Sequence, residues 1–190
     1  MTAQRLLYLV ALLLGLWLIW PLFSPAPHAP SSSGDLASGS LRVEDHRVTA
    51  LETFSIEARV LGREDYRFDR GARISPTDLA LGWGPMADPQ LLRQIDIRQS
   101  NRWYYWRTET FPIPRREIER HSANMHLIPA NPEVARVLGQ VRPGQLLRLS
   151  GQLVRVDGDD GFRWVSSLSR EDTGNGACEL IWVEQLQILD

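Results

Sequence analysis

From Leu6 to Phe23 the chain runs LLYLVALLLGLWLIWPLF, eighteen consecutive residues without a charge. A helix needs about 20 predominantly apolar residues to cross the hydrocarbon core of a bilayer, so a single transmembrane signal-anchor is expected over residues 6–23. Arg5 precedes the run and the next positive charge is Arg42. The positive-inside bias therefore leaves residues 1–5 in the cytoplasm and exports everything that follows. Trp17 and Trp20 fall near the outer end, where amphipathic rings favour the membrane interface. The rival reading is a cleaved signal peptide. Against it stand an apolar run longer than the roughly 7–15 residues of a typical signal-peptide core and the prolines of SPAPHAP, which surround any small-residue cleavage site.

Residues 24–41 are Pro, Ser, Ala and Gly with little apolar bulk, too little to offset the entropy of ordering a backbone. They are expected to form a disordered linker whose typical span is on the order of 20–25 Å. Residues 42–190 are then a single exported domain. The expected location is the bacterial inner membrane, crossed once, with the C-terminal domain in the periplasm or outside. Cys178 is the only cysteine, so no disulfide within the chain supports the domain.

The chain carries 21 basic and 23 acidic side chains, a net charge of −2, and every basic residue other than histidine is arginine. Setting aside Arg5 and Asp35 leaves the domain with the same balance. This argues against a broad phosphate-binding surface and so against nucleic acid as a partner. Arg115, Arg116 and Arg120 form a local cluster, but Glu117 and Glu119 interleave with them, as on a solvated helix face.

Within the domain, Thr53 to Leu61 alternates Phe54, Ile56, Ala58 and Val60 against Ser55, Glu57 and Arg59, the period of a half-buried strand. After the turn signal Pro143-Gly144, Leu147, Leu149 and Leu153 share one parity while Val154 and Val156 take the other, which predicts a bulge or sharp coil at Gly151. The DGDDG turn at 157–161 predicts a hairpin returning through Phe162 to Leu168. The closing segment ACELIWVEQLQIL is apolar at both parities and reads as a strand buried on both faces. Asp96 to Thr108, with the run Trp103 to Trp106, reads as a further strand. Helix starts are expected at Asn131-Pro132, at Asp88-Pro89 and at Ser75-Pro76, with one or two more turns over Arg115 to His121. The fold class expected is mainly β (α+β): about five to seven strands with short inserted helices, as a small closed or partly open β-barrel.

Residues 143–167, PGQLLRLSGQLVRVDGDDGFRWVSS, resemble the glycine-bent strand and following hairpin of an OB-type barrel. A longer likeness is carried by SPTDLALGWGPM (75–86), RWYYW (102–106), HSANMHLIPAN (121–131) and SSLSREDTGNGACE (166–179). These segments resemble an uncharacterised bacterial family of N-terminally anchored, exported single-domain proteins. The resemblance implies localisation and one domain; it assigns no activity and no functional residue.

Polar residues crowd between Ser166 and Glu179, where Ser166, Arg170 and Asp172 are candidate binding residues alongside Trp83, Asn124 and His126. Asp172-Thr173-Gly174 matches the aspartic-protease triplet, but Arg170 and Glu171 precede it instead of an apolar lead-in, and an Asx-type turn explains the same letters. Cys178 is a candidate nucleophile, with His126 as base and Asn124 or Asp172 as orienting group. In extended NMHLI, Asn124 and His126 project to one side. The alternative is a small buried hydrophobe at the entry to the last strand. His121 lies four residues from Glu117, a spacing two metal ligands could share, yet no paired Cys or His spacing accompanies it, and neither a metal nor a cofactor is implied. Trp103 to Trp106 between Arg102 and Arg107 offers rings for stacking bases or sugars, and Trp83 and Trp164 could rim a pocket. The leading expectation is a membrane-tethered binding or assembly module that contacts an envelope protein or glycan. The alternatives are an envelope hydrolase using Cys178 or His126 with Asp172, and OB-like nucleic-acid binding.

Overall fold

The computed structural model describes Tyr8, residues 29–169 and residues 177–190. The expected anchor therefore lies outside the described residues apart from Tyr8, and among the described residues no helix is long and apolar enough to cross a membrane.

The domain is mainly β. In chain order its strands are β1 (Ser32–Asp35), β2 (Ser40–Val43), β3 (His46–Asp65), β4 (Thr77–Gly82), β5 (Asp96–Ser100), β6 (Trp103–Arg107), β7 (Ser122–Pro129), β8 (Leu146–Gly158), β9 (Arg163–Val165) and β10 (Glu179–Ile188). Three short helices intervene: α1 (Pro89–Leu92), α2 (Arg115–Arg120) and α3 (Pro132–Gln140). Eight strands form one sheet in the order β1-β2-β3-β4-β7-β10-β8-β9, and β3 also pairs with β8. That additional pairing curls the sheet into a partial ring, which is not the barrel expected from the sequence. β3 is long enough to divide one edge between β2 and β4 while its other edge runs along β8. Shifts of register near Leu51 and Glu184 let β3 and β10 bend. The β7–β10 pair is parallel; its neighbours are antiparallel.

The alternation read in the sequence explains the inner face. Ala58 and Val60 of β3, Leu79 and Leu81 of β4, and Leu147 and Leu149 of β8 are all buried in one core, which Val134 and Leu138 of α3 cover. α3 begins where Asn131 accepts a hydrogen bond from the Val134 amide at 2.9 Å, as its sequence predicts. Asp88 caps α1 in the same way, on the Gln90 amide at 2.8 Å.

Four expectations are corrected. The first concerns the linker, which was expected to stay disordered through residue 41; β1 and β2 instead pair antiparallel, and Leu36 and Leu41 are buried at 5% and 6% exposure. Their apolar partners, Val43, Val48 and Val156 among them, form a second core on the outer face of the sheet, which composition alone does not reveal. The parity change after Gly151 marks no bulge in β8. Leu147 to Leu153 face the inner core while Val154 and Val156 face the outer one, and Gly151 is required because a Cβ there would collide with the Trp182 carbonyl. The segment 96–108 is a hairpin of two strands forming its own small sheet. Finally, Ser75-Pro76 opens β4 and not a helix, since residues 77–82 are buried throughout between β3 and β7.

Candidate functional site

Alternation sends Leu79 and Leu81 of β4 and Met125 and Leu127 of β7 into the inner core. The same alternation leaves Asp78 on the outer face of β4 and Asn124 and His126 on that of β7. Asp78 and His126 are direct cross-strand partners, as are Ala80 and Asn124. The shared projection of Asn124 and His126 expected from the sequence therefore holds, and both converge on Asp78.

Asp78 is fully buried. A buried carboxylate requires compensation, and three side chains supply it. Arg102 donates to Oδ1 at 2.8 Å, Asn124 donates to Oδ2 at 3.1 Å, and His126 Nδ1 lies 2.9 Å from Oδ2. The last contact is at ion-pair distance without the alignment of a hydrogen bond. Among the described residues His126 Nδ1 is thus a buried atom without a hydrogen-bond partner. The imidazole packs against the Trp164 ring at 4.6 Å between centroids.

Arg102 reaches this face from the β5–β6 turn. Asn101 and Arg102 have φ of 54° and 70°, the left-handed backbone that a two-residue hairpin loop demands at both central positions. The guanidinium also binds Asp69 through two nitrogens, at 2.8 and 3.1 Å, and lies 3.7 Å from the centroid of the Tyr66 ring. Tyr66 in turn accepts the Arg102 amide at 2.9 Å. Burial, with the Asp78 charge second, raises the Tyr66 phenol above its ordinary pKa. Asn124 completes the clamp: its amide donates to the Arg102 carbonyl at 3.0 Å and its oxygen accepts from Gln99 at 2.8 Å. The hairpin is thus pinned across the outer face of β4 and β7.

Two cavities flank the hairpin. One, of about 550 Å³, is lined by Trp83, Tyr104, Trp106, Phe111, Arg115 and Glu119 among others. The other, of about 500 Å³, is lined by Asp69, Arg70, Arg102, His126, Phe162 and Trp164 among others. Trp103 and Cys178 line both, so the two adjoin. In the first, the Tyr104 hydroxyl meets Ser122 Oγ at 2.8 Å, and burial raises its pKa although that hydrogen bond acts the other way. Phe111 meets the Trp106 ring edge-on at 6.1 Å, and Arg115 lies 5.8 Å from the same ring. In the second, Gly71 is needed for shape, since a Cβ there would fall 2.7 Å from Trp164.

The candidates read from the sequence separate by role. His126 and Cys178 share the second cavity, and Trp83, Asn124 and Cys178 share the first. Trp164 and Trp83 rim different cavities. Ser166 faces inward as a splice, donating to the Ser167 carbonyl at 2.8 Å and accepting the Leu180 amide at 3.0 Å. Arg170 and Asp172 lie outside the described residues. Glu117 and His121 contact each other, with His121 Nδ1 2.9 Å from the Glu117 carbonyl and 3.4 Å from Oε2, and no group of three metal-ligating side chains occurs among the described residues. Asp78, Asp69 and Tyr66 were missed. The only available signal was the two-residue Asn101-Arg102 break between alternating runs, which would have placed Arg102 at a hairpin tip. No protein-family model and no curated protein matches this chain.

Proposed function

We propose that this chain is a membrane-tethered, extracytoplasmic binding module of the cell envelope, and that its exported domain holds an extended glycan in the groove beside the β5–β6 hairpin. The observation that carries this reading is the adjacency of two aromatic-walled cavities that share Trp103 and Cys178. A sugar presents an apolar C–H face and a rim of hydroxyls. The rings of Trp106, Phe111 and Trp164 suit the first, and Tyr104, Glu119 and Asp69 suit the second. The sequence likeness to anchored, exported bacterial domains and the apolar run at 6–23 support the envelope location.

The order β3-β4-β7-β10-β8 with return to β3, a parallel β7–β10 pair and a helix between β7 and β8 supports an OB-type reading of the ringed sheet. In that fold the face of the second and third strands, with the loops after the first and fourth, receives oligonucleotides or oligosaccharides. Here β4 and β7 are those strands, and the groove runs along the loops at Asp69 and Trp164. The net charge of −2 of the whole chain favours the saccharide over the polyanion, while the arginines of the lining, Arg107, Arg115 and Arg120 in one cavity and Arg70, Arg102 and Arg163 in the other, outnumber its carboxylates Asp69, Glu119 and Glu179 and suit an acidic saccharide.

The test is co-sedimentation of the full-length chain, in detergent, with purified peptidoglycan sacculi. Retention of the wild type and its loss in Trp106→Ala, with the circular dichroism of both unchanged, is expected. Failure of the wild type to sediment, or its release by single-stranded DNA at micromolar concentration, would refute the glycan reading.

A further inference from the structure

Phe68, in the loop between β3 and β4, is 97% exposed, more than any other large apolar side chain among the described residues. The loop that carries it is firmly held. The Tyr66 amide donates to the Pro76 carbonyl at 2.8 Å, and Asp69 Oδ1 accepts the Gly71 amide at 2.8 Å. Arg70 reaches Asp160 at 2.5 Å, and Ile74 is buried in the outer core with Leu36 and Leu41. Single apolar side chains on a surface are ordinary, so exposure alone decides nothing. The position of this ring is what distinguishes it. Ser31 accepts the Glu44 amide at 3.0 Å, and the Glu44 carboxylate pairs with Arg73 of the same loop at 2.8 Å. Phe68 therefore stands at the end of the domain where the chain arrives from residues 6–23. Phe23 and Ser31 are eight residues apart, which at full extension spans about 28 Å.

We propose that this loop docks the domain on the bilayer that anchors it: the Phe68 ring enters the boundary between headgroups and acyl chains, and Arg67 meets lipid phosphates beside it. Aromatic rings favour that boundary, and arginine adds attraction to an anionic leaflet. Arg67 is exposed and pairs with no carboxylate among the described residues. The acids around it are matched already, Asp159 to Arg42, Asp160 to Arg70, and Glu44 and Asp45 to Arg73, while Asp69 is held by Arg102. One ring and one cation bind a bilayer weakly from free solution; the short connection to the anchor raises their effective concentration enough to suffice. Asp69, Arg70 and Gly71 of this loop also line the second cavity, so docking sets that cavity at the membrane end of the domain. The inference rests on the reading of residues 6–23 as an anchor and is independent of what the groove binds.

The experiment uses the full-length chain in vesicles of phosphatidylethanolamine and phosphatidylglycerol, with Cys178→Ser and a nitroxide on Phe68→Cys. Because Phe68 is exposed, its replacement removes no packing, and circular dichroism should stay native. Collision of the label with oxygen relative to a nickel chelate reports immersion. The ratio is expected to exceed, by about threefold or more, that of the same label on Pro143→Cys, in the turn at the opposite end of β8 from Asp160. Adding Arg67→Glu should reduce the difference. Phe68→Trp, in vesicles containing brominated lipid, should lose a larger share of its fluorescence than the wild type, and this reading decides if the labelled chain misfolds. A chain that floats with the vesicles while the two labelled positions give equal ratios, or while Phe68→Trp is quenched no more than wild type, would overturn the docking and leave the anchor standing. A chain that does not float with them would overturn both.

Discussion

Asp78 and His126 face each other across the β4–β7 ladder with Asp78 Oδ2 2.9 Å from His126 Nδ1, and their side chains are 0% and 4% exposed. A carboxylate in that position is tolerable only because Arg102 and Asn124 bind it as well. The hairpin that delivers Arg102 is therefore part of the site's electrostatics as well as its roof.

Removing one member of this set strands the others. Asp78→Ala leaves the Arg102 guanidinium, 16% exposed, with Asp69 as its one carboxylate partner among the described residues. It is expected to lower unfolding free energy by about 3–5 kcal/mol. Urea denaturation followed by tryptophan fluorescence measures this, and a loss under about 1 kcal/mol would show that the pairing carries little of the fold.

Tyr66 and Tyr104 both have raised pKa values, in each case chiefly through burial. The unfolded chain releases these protons near pH 10 and the folded chain holds them, so stability is intact below pH 10 and falls as pH rises beyond it. Phenolate absorbance should accordingly show Tyr66 and Tyr104 ionising late, together with alkaline unfolding. Tyr66→Phe should leave one late tyrosine. Ionisation of Tyr66 and Tyr104 near pH 10 in the native chain would contradict the burial.

Leu41 contributes to the outer core at 6% exposure. Leu41→Ala is expected to cost about 2 kcal/mol, and a fragment beginning at residue 42 should unfold at lower urea than one beginning at residue 29. Identical midpoints would return residues 29–41 to the role of a tether.

Topology is testable with reporters joined after Asp190, because a fusion within Ser40–Val43 would interrupt β2. Alkaline phosphatase there should be active and a cytoplasm-dependent reporter inactive if the domain is exported. The reverse pattern would remove the envelope placement.

Much of the strand content was legible because it is written in local alternation. The face of β3 from Phe54 to Val60 and the two-sided burial of Glu179 to Val183 follow from their own letters, as do the caps at Asn131 and Asp88. The site was less legible. His126 and Cys178 were suspected from residue type, but their carboxylate partner was sought in Asp172, whereas Asp78 lies 48 positions before His126 and touches it only through the β4–β7 register. Asp78 was concealed by a Ser-Pro-Thr-Asp string that also starts helices, and burial between two strands overrode that local preference.

The sequence by itself determined the uncharged run at its start, the single cysteine, the charge balance and the alternating faces, since each depends on neighbours within a few residues. Tertiary structure decided the rest. Leu36 and Leu41 are core because Val48 and Val156 lie beneath them, and Gly151 is obligatory because Trp182 crosses it. The Asp78, Arg102, Asn124 and His126 cluster exists because β4 pairs with β7 and the separate β5–β6 hairpin lies across them, where low polarity makes each charge depend on the others.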